Sequence, residues 1–277
     1  MTDQPSLDID SVSIPQLGFG TWNLTPEDAR RMVGAALDIG YRHIDTAKIY
    51  SNEEAVGQAI RESAVPRGDI FLTTKIWVSD FADGDLQKAA EEAVERLGTV
   101  PDLLLLHWPK ATPSFEETLG ALHAAKARGF TRHIGLSNFP SAEWKRAQGL
   151  SEARLITNQV EHHPYLSINA LKATAAELGS SITAWSPLAQ GKVADDAALT
   201  AIGAAHGKTA AQVTLRWLIQ QGVIAIPRSS KESRAAESFD IFDFALSADE
   251  MARIDALARP DGRLGDWIDP AFKWDRD

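Results

Sequence analysis

Short, almost wholly apolar runs alternate with amphipathic stretches from residue 17 to beyond residue 225, which leaves few folds open. The runs are Leu17–Thr21, His43–Asp45, Ile70–Lys75, Asp102–His107, His133–Ser137, Thr157–Glu161, Ser181–Ser186 and Val223–Pro227. A strand with no polar face is buried on both sides, as in a parallel sheet. Between the runs, apolar residues recur at helical spacing: Ala29, Met32, Val33, Ala36 and Leu37; Leu86, Ala89, Ala90, Ala93, Val94 and Leu97; Phe115, Leu119 and Leu122; Ile168, Leu171, Ala175 and Leu178. Strand, helix, strand with short connections means βαβ units. About eight units in 277 residues predict an α/β protein with a closed (β/α)8 TIM barrel, a fold that needs ~250 residues. Two alternating runs around Asp10-Ser11, within Leu7–Ile14, predict an N-terminal β-hairpin that plugs the barrel bottom. No linker, low-complexity tract or block of like charge divides the chain, so residues 1–277 read as a single domain.

Composition narrows the function classes. There is no cysteine, which excludes disulfides, a cysteine-zinc site and a thiol nucleophile; no metal site is expected. A formal charge of -10 makes nucleic acid and anionic lipid poor partners. No apolar stretch approaches the ~20 residues of a membrane span. The opening MTDQPSLDID lacks the basic and apolar pattern of a leader, so a cytoplasmic location is expected.

The ends of the strand runs are polar. They carry Asp45, Lys75, His107, Ser137-Asn138, Asn158-Gln159, Trp185-Ser186 and Arg228-Ser229 in turn. In a (β/α)8 barrel the chemistry gathers where the βα loops converge, so these residues should share one pocket. Each also has a plainer reading. Asp45 could cap a helix, Lys75 could reach solvent along its stem, and His107 could be a hydrogen-bonded core histidine. Taken together they suggest more, because a buried lysine needs a partner charge and Asp45 offers one. Tyr50 lies in the loop before a helix that Asn52 could cap and Glu53-Glu54 would favour. A phenol is a weak acid at neutral pH, and an adjacent Lys75 ammonium is expected to lower its pKa. His107 could then orient a carbonyl. The set suits delivery of a proton to a carbonyl oxygen.

A hydride must come from a cofactor, since no side chain supplies one. No GxGxxG follows a first strand, which disfavours a Rossmann site. Barrels often hold phosphate in the loops after their last two strands. Here these read SPLAQGK (Ser186–Lys192) and IPRSSKESR (Ile226–Arg234), both polar and basic. Trp185 would add a flat ring for stacking on a nicotinamide, or simply pack in the core.

These segments resemble the aldo-keto reductase family, over nearly the whole chain from about Val12. GYRHIDTAKIYSNEEAVGQAI (Gly40–Ile60), TTKIW (Thr73–Trp77), LLLLHWP (Leu103–Pro109), IGLSNF (Ile134–Phe139), NQVEHHPY (Asn158–Tyr165) and AWSPLAQGK (Ala184–Lys192) carry the likeness in order. The resemblance implies reduction of small aldehydes and ketones by NADPH, with Tyr50 as proton donor and Asp45, Lys75 and His107 completing a catalytic tetrad. It implies Ser137, Asn138 and Gln159 at the nicotinamide amide, with Trp185 stacked on the ring. Ser186, Leu188 and Gln190 would follow the pyrophosphate, and Arg228, Ser229 and Arg234 the 2′-phosphate. Gly20, Thr21 and Trp22, at the end of the first strand, join the cofactor candidates. Trp22, Trp77, Trp108 and Trp267 are candidates for a substrate slot. Within the family the chain looks closest to bacterial 2,5-diketo-D-gluconate reductases, with the short segment RLGDWIDPAFKWD (Arg263–Asp275) in support. A monomer is expected.

Departures from the family pattern are Arg228, where lysine is usual; Ser238, where asparagine is common; and Lys48, where a small residue is more usual. Two other functions remain open at this point. One is a barrel aldolase that uses Lys75 as a Schiff-base nucleophile. The other is a non-catalytic module that binds a dinucleotide.

Overall fold

The computed structural model describes residues 4–265 and 273–275. Strand β1 (Ser6–Ile9) folds back onto β2 (Val12–Pro15) in an antiparallel ladder. The turn is Asp10-Ser11, with φ of 48° and 68°, the left-handed pair that suits the right-handed twist of a two-residue hairpin.

Among the described residues eight parallel strands follow, each beside its neighbour in sequence. They are β3 (Phe19–Gly20), β4 (His43–Asp45), β5 (Phe71–Ile76), β6 (Leu103–Leu106), β7 (His133–Ser137), β8 (Leu155–Glu161), β9 (Ser181–Trp185) and β10 (Ile224–Ala225). The first closes on the last: the Gly18 amide donates to Ala225 O at 2.8 Å, Ala225 N to Gln16 O at 2.8 Å, and Gly20 N to Pro227 O at 2.9 Å. Closure joins the two edges of the eight-stranded sheet to each other. Parallel neighbours need crossovers, and helices supply them. These are α1 (Pro26–Ile39), α2 (Glu53–Glu62), α3 (Asp85–Leu97), α4 (Phe115–Ala127), α5 (Ser141–Leu150), α6 (Asn169–Leu178), α7 (Ala197–His206) and α8 (Ala210–Gln220), with α9 (Glu232–Phe239) and α10 (Ala248–Asp255) after the last strand. Local chemistry sets their starts. Thr25 accepts from Asp28 N ahead of Pro26, and Thr209 and Ser247 make reciprocal capping boxes with Gln212 and Glu250.

Strand parity divides the core in two. Leu103 and Leu105 face the barrel interior and pack with Phe71, Ile156, Ile224 and the hairpin residues Val12 and Ile14. Leu104 and Leu106 face outward into the larger core, against the expected helical stripes such as Met32, Val33, Leu37, Leu86 and Leu97. The hairpin therefore fills the bottom of the barrel, as its pattern suggested. The same alternation carries residues 43 and 45, then 71, 73 and 75, then 103, 105 and 107 inward. Asp45 pairs in register with Thr73, and Lys75 with Leu105. Asp45, Lys75 and His107 thus reach the interior at the carboxyl ends of their strands, above a layer of leucine.

Candidate active site

Lys75 is fully buried at the end of β5, and so is Asp45 beside it on β4. Lys75 Nζ donates to Asp45 Oδ1 at 2.5 Å, to Thr46 O at 2.9 Å and to Tyr50 Oη at 3.5 Å. All three ammonium hydrogens are thereby matched to acceptors. Asp45 Oδ2 accepts from Gln159 Nε2 at 2.7 Å, so neither member of the pair is left with an uncompensated charge. Asp45 does not cap a helix, and Lys75 does not reach solvent.

Tyr50 ends a turn of 3-10 helix, Lys48–Tyr50, between β4 and α2. Asn52 does not cap α2 through its side chain, contrary to the sequence expectation. It is buried. Its Oδ1 accepts from Thr46 Oγ1 at 2.9 Å and from Thr21 Oγ1 at 3.4 Å, and its Nδ2 donates to the carbonyls of Thr21 and Leu24 at 3.0 and 3.2 Å. The side chain is drawn into the barrel mouth, where four partners outweigh one exposed cap bond. Asn52 thus joins the first two βα loops beneath Tyr50. Glu53 is also buried, between Thr74 Oγ1 and Arg96 Nε at 2.8 Å. Lys48 reaches Asp80 at 2.9 Å and ties the tyrosine loop to the next one.

The expected effect of Lys75 on Tyr50 is outweighed in this structure. Burial, reinforced by the Asp45 carboxylate, pushes the Tyr50 hydroxyl well above the ordinary phenol value. The Lys75 ammonium lies 3.5 Å away and also bonds Asp45. Burial in turn lowers the Lys75 ammonium, with Asp45 opposing. His107 is buried at the end of β6, and burial together with the Lys75 charge pushes it well below its usual value. It is a neutral imidazole at neutral pH. Its ring meets those of Tyr50 and Trp77 edge-on, at 5.8 and 5.1 Å between centroids. These four side chains, spread over 63 positions from Asp45 to His107, form one cluster that holds its tyrosine protonated.

A row of amides continues the site. Ser137 Oγ donates to Gln159 O at 2.9 Å, and Asn138 Nδ2 donates to His107 O at 3.0 Å and to Ser137 Oγ at 3.1 Å. Asn138 Oδ1 accepts from Trp185 Nε1 at 2.8 Å. Asn138 holds φ of 67°, and Ser186, Ala189 and Gln190 hold 49°, 48° and 55°. Left-handed backbone at non-glycine residues is held only by its surroundings, and it gathers at functional sites. Ser186, Leu188 and Gln190 lie on that loop, with Gln190 exposed and the other two half-buried. Gly20 and Thr21 are buried at the end of β3, and the Thr21 hydroxyl is engaged with Asp45 O at 3.1 Å.

After β10, Arg228 turns back, and Nε and Nη2 donate to the carbonyls of Trp22 and Asn23, both at 3.1 Å. Ser229 Oγ accepts from Lys231 N at 2.9 Å, at the entry to α9. Arg234 is exposed on the first turn of α9, with no ion pair among the described residues. The acids that could hold it are engaged elsewhere, Glu232 with Arg31 at 3.2 Å and Glu237 with Thr209 Oγ1 at 2.6 Å.

Of the tryptophans proposed for a substrate slot, Trp108 is buried, Trp77 half-buried and Trp22 exposed; Trp267 lies outside the described residues. Trp274 packs edge-on against Trp108, with 5.7 Å between centroids. Ile49 stands 46% exposed beside Tyr50, and an apolar residue so placed is available to a ligand. Neither Trp274 nor Ile49 stood out in the sequence. Ile49 has one signal, its position directly before the tyrosine.

The donor set fits a nicotinamide dinucleotide. A hydroxyl and two carboxamides stand beside a half-exposed indole, a loop of left-handed backbone follows, and a guanidinium without an ion pair among the described residues lies at a helix N-terminus, where anions are favoured.

Comparison with known proteins agrees with this arrangement. The model of the Aldo/keto reductase family matches residues 16–259. The glyoxal reductase of Bacillus subtilis is 42% identical over 256 residues, 92% of each chain. The crystal structure of a candidate 2,5-diketo-D-gluconic acid reductase B superposes with a TM-score of 0.96 at 45% identity, over 99% of this chain and 98% of that one. An aldo-keto reductase of Bombyx mori, solved in complex with NADP, superposes with a TM-score of 0.87 at 33% identity, over 93% and 94%. The chain belongs to the aldo/keto reductase family of oxidoreductases.

Proposed function

We propose that this chain reduces small aldehydes and ketones to alcohols with NADPH, and that Tyr50 is the general acid. The observation that carries the reading is the contact of the Tyr50 hydroxyl, held as the protonated phenol, with an ammonium that is itself buried on Asp45. The cofactor, when bound, supplies the hydride. Ser137, Asn138 and Gln159 would hold its carboxamide, Trp185 would cover the ring, and Arg234 would take the 2′-phosphate. The Tyr50 hydroxyl donates its proton to the carbonyl oxygen. Lys75 stabilises the phenolate left behind, because removal of the phenol's proton places an anion against an ammonium. Asp45 keeps Lys75 charged and in place. Neutral His107 donates or accepts a hydrogen bond without adding charge, which suits it to orient a carbonyl. All of this lies within one barrel domain.

Lys75 with three committed hydrogens supports a positioning role over the Schiff-base alternative, which needs a free amine lone pair. The complete tetrad speaks against a purely binding role. Tyr50→Phe keeps the ring and removes the proton. It is expected to bind NADPH as the parent does and to lose ~10²-fold or more in kcat, the usual worth of acid catalysis. Turnover near the parent value with any carbonyl that the parent reduces would refute the assignment.

A further inference from the structure

Glu161 is the last residue of β8 and pairs in register with Trp185 on β9. It is fully buried, yet no part of the proposed chemistry uses it. Its carboxylate is instead filled by donors from the C-terminal arm, residues 259–265. Leu264 N donates to Oε1 at 2.6 Å and Gly265 N to Oε2 at 3.0 Å, while His163 Nε2 lies 2.9 Å from Oε1. Charge-assisted bonds to two successive amides fix the arm's backbone at this point. Nearby, Arg259 N donates to Tyr165 O at 3.1 Å.

Seated there, Gly265 lies close against the indole of Trp185. A Cβ at residue 265 would stand 2.6 Å from Cη2 and 3.3 Å from Cζ2 of that ring, and 3.0 Å from Glu161 Oε2. No side chain fits unless the ring or the arm moves. The ring is also held at Nε1, near Cζ2 on the same edge; Nε1 donates to Asn138 Oδ1 at 2.8 Å. Asn138 pins Nε1 and Gly265 stands against the benzo carbons, so that with the side chain's own attachment the indole plane has three fixed points.

We infer that Glu161 and Gly265 are positioning residues: by docking the C-terminal arm behind Trp185, they set the plane on which the nicotinamide stacks and so tune cofactor affinity. This rests on the reading of Trp185 as the stacking surface. Glu161 holds the arm, Gly265 transmits its position, and Trp185 presents it. A swing of the ring away from Gly265 would strain the bond to Asn138, whose own amide is bonded to the His107 carbonyl. The arm thereby bears on the carboxamide subsite as well.

The test is a set of cycles in the full chain: Gly265→Ala, Glu161→Gln, Trp185→Ala and the two doubles with Trp185→Ala. NADPH is titrated by quenching of the remaining tryptophan fluorescence, and melting of each variant is followed in parallel. Gly265→Ala pushes the ring. Glu161→Gln sets an amide N–H against an arm N–H and releases the arm, so it probes the same link if the alanine variant folds poorly. Each is expected to raise the NADPH Kd by roughly five- to tenfold, the scale of one disturbed aromatic contact. In the Trp185→Ala background neither should weaken binding further, because no ring is left to displace. A residue that merely stabilises the fold would not show that dependence on Trp185. A parent-like Kd in both single variants, with a loss in Trp185→Ala, overturns the proposal alone. Equal losses in both backgrounds overturn it too. An unchanged Kd in Trp185→Ala overturns the stacking reading and the proposal with it.

Discussion

Arg234 stands exposed on the first turn of α9, and its two candidate acids are paired elsewhere. A guanidinium at a helix N-terminus with no ion pair among the described residues, in a chain of net charge -10, is well placed for a phosphate dianion. One charge-assisted bond contributes ~1.5–3 kcal/mol. Arg234→Ala is therefore expected to weaken NADPH by roughly 10- to 100-fold and to leave NADH almost unchanged. Fluorescence titration of both cofactors decides it; equal losses for the two would make Arg234 structural. Arg228 is expected to contribute less, because its guanidinium already serves the Trp22 and Asn23 carbonyls. At this scale the sequence was legible where chemistry demands a residue type. Asp45, Lys75 and His107 stand out because charged or titratable groups are rare at the ends of apolar runs. Asn52 and Glu161 did not stand out as connectors, since their work is done with backbone groups of distant loops, which leave no mark in local sequence. The burial that raises the Tyr50 hydroxyl, with the Asp45 carboxylate adding to it, was not legible either, because it is a property of the assembled site.

Between elements, α2 packs closely on α3. A Cβ at Gly57 would lie 2.1 Å from Leu97 O, and Arg61 Nη1 donates to that same carbonyl at 2.9 Å. Arg96 of α3 meanwhile holds Glu53, the first residue of α2, which follows Tyr50 closely in the chain. Gly57→Ala has to part the two helices, and overpacking of this kind costs about 1–3 kcal/mol. Urea denaturation should show a lower midpoint; parent-like stability would mean that this contact does not set the spacing. The elements themselves were largely readable. Four strands keep at least one expected boundary, and the four stripes lie on observed helices apart from Ile168, which stands at the N-cap of α6. Strand ends shifted where side chains carry no signal: β5 runs one residue beyond Lys75, and β8 starts two residues before Thr157. Val94, counted in the α3 stripe, is only half-buried, at the edge of the apolar face. Asn52 failed as a cap because a tertiary site competed for its side chain.

For the molecule as a whole, acid should be destabilising well before the carboxylates titrate. Burial lowers His43, His107, His123 and His133 below the usual histidine value. In the unfolded chain these rings take up protons near pH ~6.5, whereas the folded protein resists. A folded-state pKa that is depressed means the unfolded state binds more protons. The associated stability is thus fully present above ~6.5 and lost as pH falls through that value, with each ring adding at most about 1.4 kcal/mol per pH unit. Melting temperature should drop between about pH 7.5 and 5.5; a flat profile would contradict the depressed values. The closed barrel was readable from the count of βα units. Its seam was not, since nothing in the residues around Gly18 names Ala225 as their partner. That seam also sets a timetable for synthesis. The amide of Gly18 waits for the carbonyl of Ala225, 207 residues later in the chain. At ordinary ribosomal speeds the gap is roughly 10–40 s. Until then, any sheet that the emerged strands make has a bare edge, the kind of surface that recruits other strands or a chaperone. The last few strands to emerge complete the cycle of hydrogen bonds, so a nascent chain truncated before residue 225 can hold many native helices and still lack a barrel.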